Sequence, residues 1–421
     1  MFSSKFGERS GAPTLQWERY QALRKAGHPL LDLTVSNPTT VGLEYPEEIP
    51  ALLAHPSLLE YRPSPQGDLH AREAVSAYYR SRGRICAPED LILTASTSEA
   101  YAFLFKLLCD PGDEVLIPSP TYPLFDALAE LENVTLVRYP LRLAEAVGGS
   151  DGKAHWRGDM GFLRSLVSTR CKALVLVNPD NPTGRLADAE EIEACLSLAR
   201  DFGLALIVDE VFSEYLLGSR PHLPVTSTGP LVFTLNGFSK LLGLPQLKLA
   251  WIHVAGAEAA VARARENLEW ISDAFLSVNT PVQRACPGLL DLGPVIRSSI
   301  SQRLETNLAT AHRLLPDPGI SQSDLLHTGS FLSSSSLTGP RRVRFLPPEA
   351  GWSLILDLDL PLSDEDFALS LLEAKKIHVH SGHLFGFEEG CRLVLSLLVT
   401  PEFFREGLEG ILAHAEECSH G

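Results

Sequence analysis

Short apolar runs alternate with segments of helical period through the middle of the chain. The runs are typical of buried strands, and they are LILT (91–94), EVLIPS (114–119), TLVRYP (135–140), CKALVLVN (171–178), LALIVD (204–209), LVFTLN (231–236) and LKLAWIHV (247–254). Helical patterns occur near residues 68–82, 98–109 and 188–202. This alternation predicts an α/β fold with a mainly parallel, doubly wound, seven-stranded sheet. Ligands bind such sheets outside the carboxyl ends of the strands.

The last third of the chain has a different pattern. A helical region near 256–316 precedes a Ser/Gly-rich stretch at 328–342, which we expect to be a loop. Strands are predicted at 352–358, 377–381 and 391–397, and helices near 363–375 and 401–416. These elements indicate a smaller α+β unit. We therefore predict a large domain at 50–290 and a small domain that combines the N-terminal segment, 1–49, with 291–421.

Composition excludes several classes of protein. The 36 Lys and Arg residues and 52 Asp and Glu residues give a formal net charge of −16, which argues against binding to nucleic acid or anionic membranes. No run of about 18 apolar residues occurs, so no transmembrane helix is predicted. The seven cysteines are odd in number and contain no Cys-x-x-Cys pair, which predicts a reducing, cytoplasmic location and no metal site.

Polar residues stand where three of the apolar strands end. Asn181 lies in NPDNPTG, Asp209 ends LALIVD, and Lys240 follows LVFTLN in the run NGFSK. Each has an ordinary structural explanation by itself: a turn, a helix cap and a solvated cation. Their joint occurrence at the ends of strands in one sheet predicts an active site at the carboxyl edge.

With these motifs in place, the chain resembles the class I/II aminotransferases, which are pyridoxal-phosphate (PLP) dependent enzymes of fold type I. The matching runs are YRPSPQGDLHAREAV, TASTSEA, DPGDEVLIPSPTYP, NPDNPTG, IVDEVF, FSKLLGLPQLKLAW, GWSLILDL, SGHLFGF and CRLVLSL. The resemblance implies PLP as cofactor. It also implies a ping-pong reaction that moves the amino group of an L-amino acid to a 2-oxo acid.

The resemblance also implies roles for the residues at the strand ends. Lys240 would form a Schiff base with PLP and move the substrate proton, and Asp209 would pair with the pyridinium nitrogen. Asn181 would hydrogen-bond the phenolic oxygen, and Tyr122 would stack on the pyridine ring. A helix start carries the hydroxyls and backbone N–H groups expected to bind the phosphate, from Ser96, Thr97 and Ser98.

Substrate binding and assembly follow from the same resemblance. Arg392 matches the arginine that holds the substrate α-carboxylate, a role that suits a planar guanidinium. Asn37 would lie beside the substrate. Tyr61 matches a tyrosine that reaches the phosphate of the neighbouring subunit's PLP, which implies a homodimer with shared active sites.

Three positions differ from the family pattern. Phe212 stands where a tyrosine often donates to the phenolic oxygen, which predicts a raised pKa for the Schiff base. Lys248 stands where an arginine often binds the phosphate, and Gly237 where a serine or threonine is common. We therefore expect a modified phosphate site in which Ser239 helps.

Two other functions are compatible with this residue set. A PLP-dependent C–S lyase, which eliminates from Cβ, would use the same lysine, aspartate and arginine. A PLP-binding protein without turnover is the less favoured alternative, because the acidic chain offers no added DNA-binding module. Among amino donors, aromatic or other neutral amino acids are favoured over aspartate, since Trp17 and the turn at Asn37 could supply apolar contact.

Overall fold

The computed structural model describes residues 14–144, 155–315 and 343–419. In chain order its strands are β1 (Leu31–Asp32), β2 (Leu91–Thr94), β3 (Glu114–Ser119), β4 (Thr135–Ala144), β5 (His155–Gly158), β6 (Cys171–Val177), β7 (Ala205–Asp209), β8 (Val232–Gly237), β9 (Ala250–Ala255), β10 (Val343–Leu346), β11 (Ser353–Leu358), β12 (Ile377–His378), β13 (His380–Ser381) and β14 (Cys391–Ser396). They form a large sheet of eight strands, a smaller sheet of four, and one isolated pair.

The described residues form twelve α-helices, several of which begin at polar caps that the sequence supplies. They are α1 (Leu15–Lys25), α2 (Ile49–Leu52), α3 (Leu69–Arg80), α4 (Thr97–Leu108), α5 (Leu124–Glu132), α6 (Met160–Ser165), α7 (Ala189–Phe202), α8 (Phe238–Leu241), α9 (Glu258–Asp273), α10 (Thr280–Leu314), α11 (Asp364–Lys375) and α12 (Pro401–Ser419). The side chains of Asp68, Ser96 and Asp188 accept backbone N–H groups at the starts of α3, α4 and α7. None of the helices in the described ranges is long and apolar enough to cross a bilayer.

The large sheet has the order β2-β9-β8-β7-β6-β3-β4-β5. Strands β8, β7, β6, β3 and β4 are parallel to their neighbours in this series, whereas β9 and β5 run antiparallel to theirs. In the register of these strands, Val177 of β6 pairs with Asp209 of β7, and Asp209 pairs with Leu235 of β8. Because three parallel strands end level, the polar residues that follow them meet at one edge of the sheet. The predicted α/β class and mainly parallel sheet are confirmed.

The prediction of seven strands was wrong by one. The additional strand is β5, His155–Gly158, which pairs antiparallel with β4 at the sheet edge. Trp156 in this strand is buried and packs near Phe387, with ring centroids 5.9 Å apart. Four residues that follow a Gly-rich stretch carry too short a pattern to predict a strand, so the pairing partner decides the conformation.

The smaller sheet has the order β10-β11-β14-β13 and is antiparallel throughout. Strand β1 pairs in parallel with β12, which joins the N-terminal segment to the C-terminal elements. This pairing supports the proposed composition of the small domain. Helix α10 runs through the predicted limit at residue 290, so the domain limits stay a prediction. The loop predicted at 328–342 lies outside the described residues.

The turn NPDNPTG is held against the segment that enters β11. Gly184 has φ +67°, and a Cβ at this position would lie 2.4 Å from the carbonyl oxygen of Ala350. The backbone N–H of Ala350 donates to the Gly184 carbonyl at 2.8 Å. Glycine is therefore required both by the backbone conformation and by the close approach. The contact fixes the residues after β6 relative to Trp352 and Ser353.

Candidate active site

A cavity of about 370 Å³ lies at the carboxyl edge of the large sheet. It collects side chains from the ends of β2, β7 and β8, from the loop after β3, and from β11 and β14 of the smaller sheet. Ten of the predicted site residues line it: Ser96, Thr97, Ser98, Tyr122, Asn181, Asp209, Phe212, Ser239, Lys240 and Lys248. Its ionic side chains among the described residues are Asp209, Lys240 and Lys248.

Lys240 lies in the short helix α8, directly after β8. A Cβ on Gly237 would lie 2.6 Å from the Cβ of Ala250, so glycine lets β8 and β9 approach where α8 begins. The hydroxyl of Tyr215 donates to the Lys240 carbonyl at 2.7 Å and fixes the backbone. The amine lies 4.8 Å from the ring centroid of Trp352. Burial lowers the pKa of Lys240 to about 8, although the nearby Asp209 carboxylate opposes this shift.

Asp209 ends β7 and is buried beneath the cavity. Its Oδ1 accepts the backbone N–H of Val211 at 3.2 Å, and its Oδ2 accepts the hydroxyl of Tyr101 at 3.2 Å. Burial raises the pKa of Asp209 to about 6, while these two hydrogen bonds and the charge of Lys240 act in the opposite direction. The carboxylate is therefore mostly ionised at neutral pH and is available to a cationic partner in the cavity.

The start of α4 provides an anion site. Ser96 Oγ accepts the N–H of Glu99 at 3.1 Å, and Glu99 Oε2 accepts the N–H of Ala95, the residue before the cap, at 2.6 Å. Thr97 and Ser98 of the first helical turn line the cavity. Lys248 adds positive charge from a left-handed backbone conformation, with φ +57°. Helix N–H groups, hydroxyls and a cation are suitable ligands for a phosphate group.

Three further predicted residues lie around Lys240. Tyr122 follows β3 in a loop, and the backbone N–H of Thr121 donates to the Phe385 carbonyl at 2.8 Å. Asn181 Oδ1 accepts the hydroxyl of Ser353 at 3.4 Å. The Phe212 ring packs edge-on against Trp352, with centroids 5.5 Å apart, and lies 5.6 Å from the Lys240 amine.

Arg392 is not among the side chains that line the cavity. It lies on β14 opposite Asp357 of β11, and its Nε is 3.4 Å from Asp357 Oδ1. Arg344 donates to the other oxygen of Asp357 at 2.8 Å. Val394 and Ser396, two and four residues further along β14, do line the cavity. The substrate-binding role of Arg392 stays a prediction, and the structure gives this arginine a carboxylate partner.

The structure also leaves Asn37 and Tyr61 outside the described lining of the cavity. Asn37 Oδ1 accepts the N–H and the hydroxyl of Thr39, at 3.1 and 2.8 Å, so it caps a turn. Thr34 and Ser36 of the same segment line the cavity instead. Tyr61 is 79% exposed and borders a separate groove beside Arg62 and Arg284. Both predicted roles remain untested.

Sequence reasoning missed several residues that line the cavity. They are Thr34, Ser36, Tyr101, Trp352, Ser353, His380 and Ser396. Burial, with a smaller contribution from His378, lowers the pKa of His380 to about 4, so this side chain is neutral at physiological pH. Trp352, Ser353 and Ser396 lie inside the runs GWSLILDL and CRLVLSL, which carried the family resemblance and were the available signal. Thr34, Ser36, Tyr101 and His380 lie outside the matching runs.

Comparison with known proteins places this geometry in a family. The model of the family described as aminotransferase class I and II matches residues 29–411. An alanine aminotransferase of Mycobacterium tuberculosis is 30% identical over 374 residues, which cover 87% of this chain and 80% of that protein. A glutamate-pyruvate aminotransferase, AlaA, of Haemophilus influenzae is 30% identical over 62% of this chain and 64% of its own. The crystal structure of an Escherichia coli aminotransferase superimposes with a TM-score of 0.81 at 22% identity, covering 99% and 98% of the two chains.

The chain belongs to the class I and II aminotransferases. Enzymes of this family are PLP-dependent, and the protein is a PLP-dependent aminotransferase of fold type I. The cavity fits the cofactor by its donor set: an amine of lowered pKa for the aldehyde, a buried carboxylate for the pyridinium, and a helix start with Lys248 for the phosphate. The relatives named above are aminotransferases, and the C–S lyase alternative gains no support from them.

Replacing Lys248 by alanine should weaken PLP binding about tenfold, since one charge-assisted contact to the phosphate is lost. Lys248→Arg should bind PLP at least as tightly as the natural protein, because a guanidinium offers more donors. The Kd of PLP for the natural protein and for both variants, measured by equilibrium binding, tests this expectation. Equal affinity of Lys248→Ala and the natural protein would show that Lys248 does not contact the phosphate.

Proposed function

We propose that this aminotransferase uses neutral L-amino acids, aromatic ones among them, as donors and a 2-oxo acid as acceptor. The observation that carries the proposal is the charge of the cavity around Lys240. Besides Lys240 and Lys248, the described side chains that line it include no lysine and no arginine. A donor with a second carboxylate would meet neutral groups there, because His380 is uncharged at neutral pH.

The apolar wall of the cavity supports the same choice of donor. Leu124, Phe125 and Leu128 of α5 line the cavity, and so does Phe385. Such a wall stabilises an apolar or aromatic side chain by removing it from water. Trp17, which sequence reasoning favoured for this contact, is half exposed on α1 and is absent from the described lining.

Lys240 has the acid–base properties that the proton transfer requires. With its pKa at about 8, roughly a tenth of the amine is unprotonated at pH 7, and far less would be so for an exposed lysine. The rings of Trp352 and Phe212 lie beside the amine and keep bulk water away from it. The proposed role of Lys240 is to hold the cofactor and then to move a proton at the substrate Cα.

Asp209 is proposed to keep the cofactor in its reactive form. When bound, PLP supplies the electron sink for the reaction, which depends on a protonated ring nitrogen. The ionised carboxylate of Asp209 would hold that proton in place by charge. Asn181 and Tyr122 are proposed to orient the ring from its edge and its face, in agreement with their positions in the lining.

Arg392 is proposed as the group that binds the α-carboxylate. It lies on the same strand face as Val394 and Ser396, which reach the cavity, and it would have to share its charge with Asp357. Arg344 also contacts Asp357, so this carboxylate is shared between two guanidinium groups.

A homodimer with shared active sites is proposed from Tyr61. The side chains of Tyr61, Leu59 and Trp270 are 79%, 99% and 80% exposed, which is unusual for large apolar groups on an uncovered surface. Tyr61 lies outside the cavity of its own subunit, as expected of a residue that serves a partner. Asn37 is proposed to lie near the substrate in the same assembly, at the entrance formed by Thr34 and Ser36.

Mixed dimers test the shared site. A Lys240→Ala chain and a Tyr61→Ala chain are each expected to form an inactive or impaired homodimer. After co-refolding, half of the dimers are hybrids with one complete site, so about a quarter of the natural activity should return. Sedimentation checks that the mixed protein is dimeric, and steady-state turnover measures the activity that returns. Recovery no greater than the sum of the two homodimers would contradict a site shared through Tyr61.

A cytoplasmic location is proposed from the cysteines. All seven are free and five are buried, which is the state expected in a reducing compartment. Their burial raises the pKa of several thiols, Cys86 and Cys195 among them, to about 12, so these groups are unreactive.

The test of the proposed function is a donor comparison. Alanine, phenylalanine, tyrosine and aspartate are offered with 2-oxobutyrate, a neutral acceptor that is the 2-oxo acid of none of them, and the new amino acid is measured. Neutral donors should give kcat/KM values at least about tenfold above that of aspartate, because a second carboxylate has no cation to meet. Preference for aspartate would reject the neutral-donor proposal. Release of pyruvate from cystathionine without any 2-oxo acid would instead indicate a lyase.

A further inference from the structure

Tyr101 is a residue of the site to which the family pattern assigned no role. It stands in the first turns of α4, three residues after Ser98, and its buried ring lines the cavity floor. The ring packs edge-on against Phe125 with centroids 4.9 Å apart, and against Phe105 at 6.0 Å. These contacts leave the hydroxyl aimed at Asp209, at 3.2 Å from Oδ2.

We propose that Tyr101 is a positioning residue for the cofactor, which orients the Asp209 carboxylate and keeps it ionised so that it can pair with the pyridinium nitrogen. This inference rests on the proposed pairing of Asp209 with the cofactor. Each carboxylate oxygen of Asp209 accepts one hydrogen bond: Oδ1 accepts the Val211 N–H, and Oδ2 accepts the Tyr101 hydroxyl. The carboxylate is therefore fixed in rotation and retains its outward lone pairs for the cofactor.

A donor to Asp209 is needed because its surroundings favour the neutral acid. Burial raises the pKa of Asp209 to about 6, and the adjacent Glu210 carboxylate adds to the effect. Arg84 balances Glu210 at 2.7 Å on the side away from the cavity, and Lys240 faces Asp209 from α8. Tyr101 itself stays a neutral donor, because burial and Asp209 raise its pKa well above the usual value.

The chain offers a matched control for removal of this hydroxyl. Tyr139 is also fully buried, and its hydroxyl donates to the Val175 carbonyl at 3.0 Å without reaching Asp209. Tyr139→Phe and Tyr101→Phe thus each remove one buried hydroxyl and one hydrogen bond. Both keep the aromatic ring, so packing is preserved. Tyr101→Gln is a second variant, which loses the ring but keeps a hydrogen-bond donor.

The experiment measures the Kd of pyridoxamine 5′-phosphate, which binds without a bond to Lys240, from pH 5.5 to 8.5. Loss of a hydrogen bond to a charged group raises the pKa of Asp209 by about one pH unit. Only the ionised carboxylate pairs with the ring nitrogen, so binding weakens as the pH falls. In Tyr101→Phe this weakening should begin at a higher pH than in the natural protein. The Kd of Tyr101→Phe divided by the Kd of the natural protein should be near one at pH 8.5 and about three at pH 6.5.

Tyr139→Phe should give a ratio near one at every pH, and Tyr101→Gln should lie closer to one than Tyr101→Phe at pH 6.5. A ratio for Tyr101→Phe that does not vary with pH overturns the inference, because a purely structural role would weaken binding uniformly. The reverse order of the two Tyr101 variants also overturns it. Asp209→Asn separates the two claims: if it binds pyridoxamine 5′-phosphate as tightly as the natural protein at pH 8.5, the Asp209 pairing itself is wrong.

Discussion

Replacing Lys240 by alanine is expected to lower kcat for amino transfer by at least about 10⁴-fold, because one amine both holds the cofactor and moves the proton. Burial gives that amine a pKa of about 8. Lys240→Arg should lose as much activity, since a guanidinium keeps the charge but does not give up its proton. Steady-state turnover with excess PLP measures both variants.

Lys172 provides the matched control for Lys240. It lies near the start of β6 in a partly exposed ion pair with Asp113, 3.7 Å away, and is absent from the cavity lining. Lys172→Ala should keep kcat within about twofold of the natural value, because the residue is remote from the proposed chemistry and a partly exposed pair contributes little. Activity of Lys240→Ala within a hundredfold of the natural protein would mean that another group carries the chemistry.

Asp209→Asn is expected to reduce kcat about 10²–10³-fold, the usual effect of removing one group that stabilises charge in the transition state. The amide has the same shape and keeps a hydrogen-bond partner for Tyr101, so the loss reports the charge. Asp209→Glu should retain part of the activity. Before the cofactor is bound, Asp209 takes up a proton below a pKa of about 6, so PLP binding by the natural protein should weaken as pH drops through this value.

Asp126→Asn is the control for loss of one negative charge. Asp126 is paired with Arg138 at 2.6 Å on the surface, where its side chain is 63% exposed. Its replacement should change neither kcat nor the acid limb of the pH profile of PLP binding. If Asp209→Asn had the natural kcat and the same acid limb of the pH profile, Asp209 would have no part in the reaction.

The positions of the main site residues follow from local sequence. Asn181, Asp209 and Lys240 come after apolar strands, and parallel strands deliver whatever follows them to the same edge. The proposed phosphate site is equally local, because Ser96 and Glu99 cap the start of α4 within one turn of sequence. Such features depend on a few neighbouring residues and on strand direction, and both are visible in the pattern of the chain.

Contacts between distant segments are where sequence reasoning fell short. His380, Ser353 and Ser396 reach the cavity through strands of the smaller sheet, and the matching runs that contain the two serines do not reveal which of their side chains face it. The partner of Arg392 is set by the register of β11 against β14, which brings Asp357 opposite. Similarly, β5 exists because β4 offers an edge for pairing. Register and packing are properties of pairs of segments, so a single pass along the chain does not reveal them.

The most direct test of the account is the absorption spectrum of the PLP-loaded protein during a half-reaction. Neutral L-amino acids are added without any 2-oxo acid, and then 2-oxoglutarate or pyruvate is added. The account predicts that the band of bound PLP converts to that of pyridoxamine phosphate and returns with the 2-oxo acid, in the natural protein but not in Lys240→Ala. If PLP binds and no L-amino acid changes its spectrum, the proposal that Lys240 and Asp209 carry amino transfer in this cavity is contradicted.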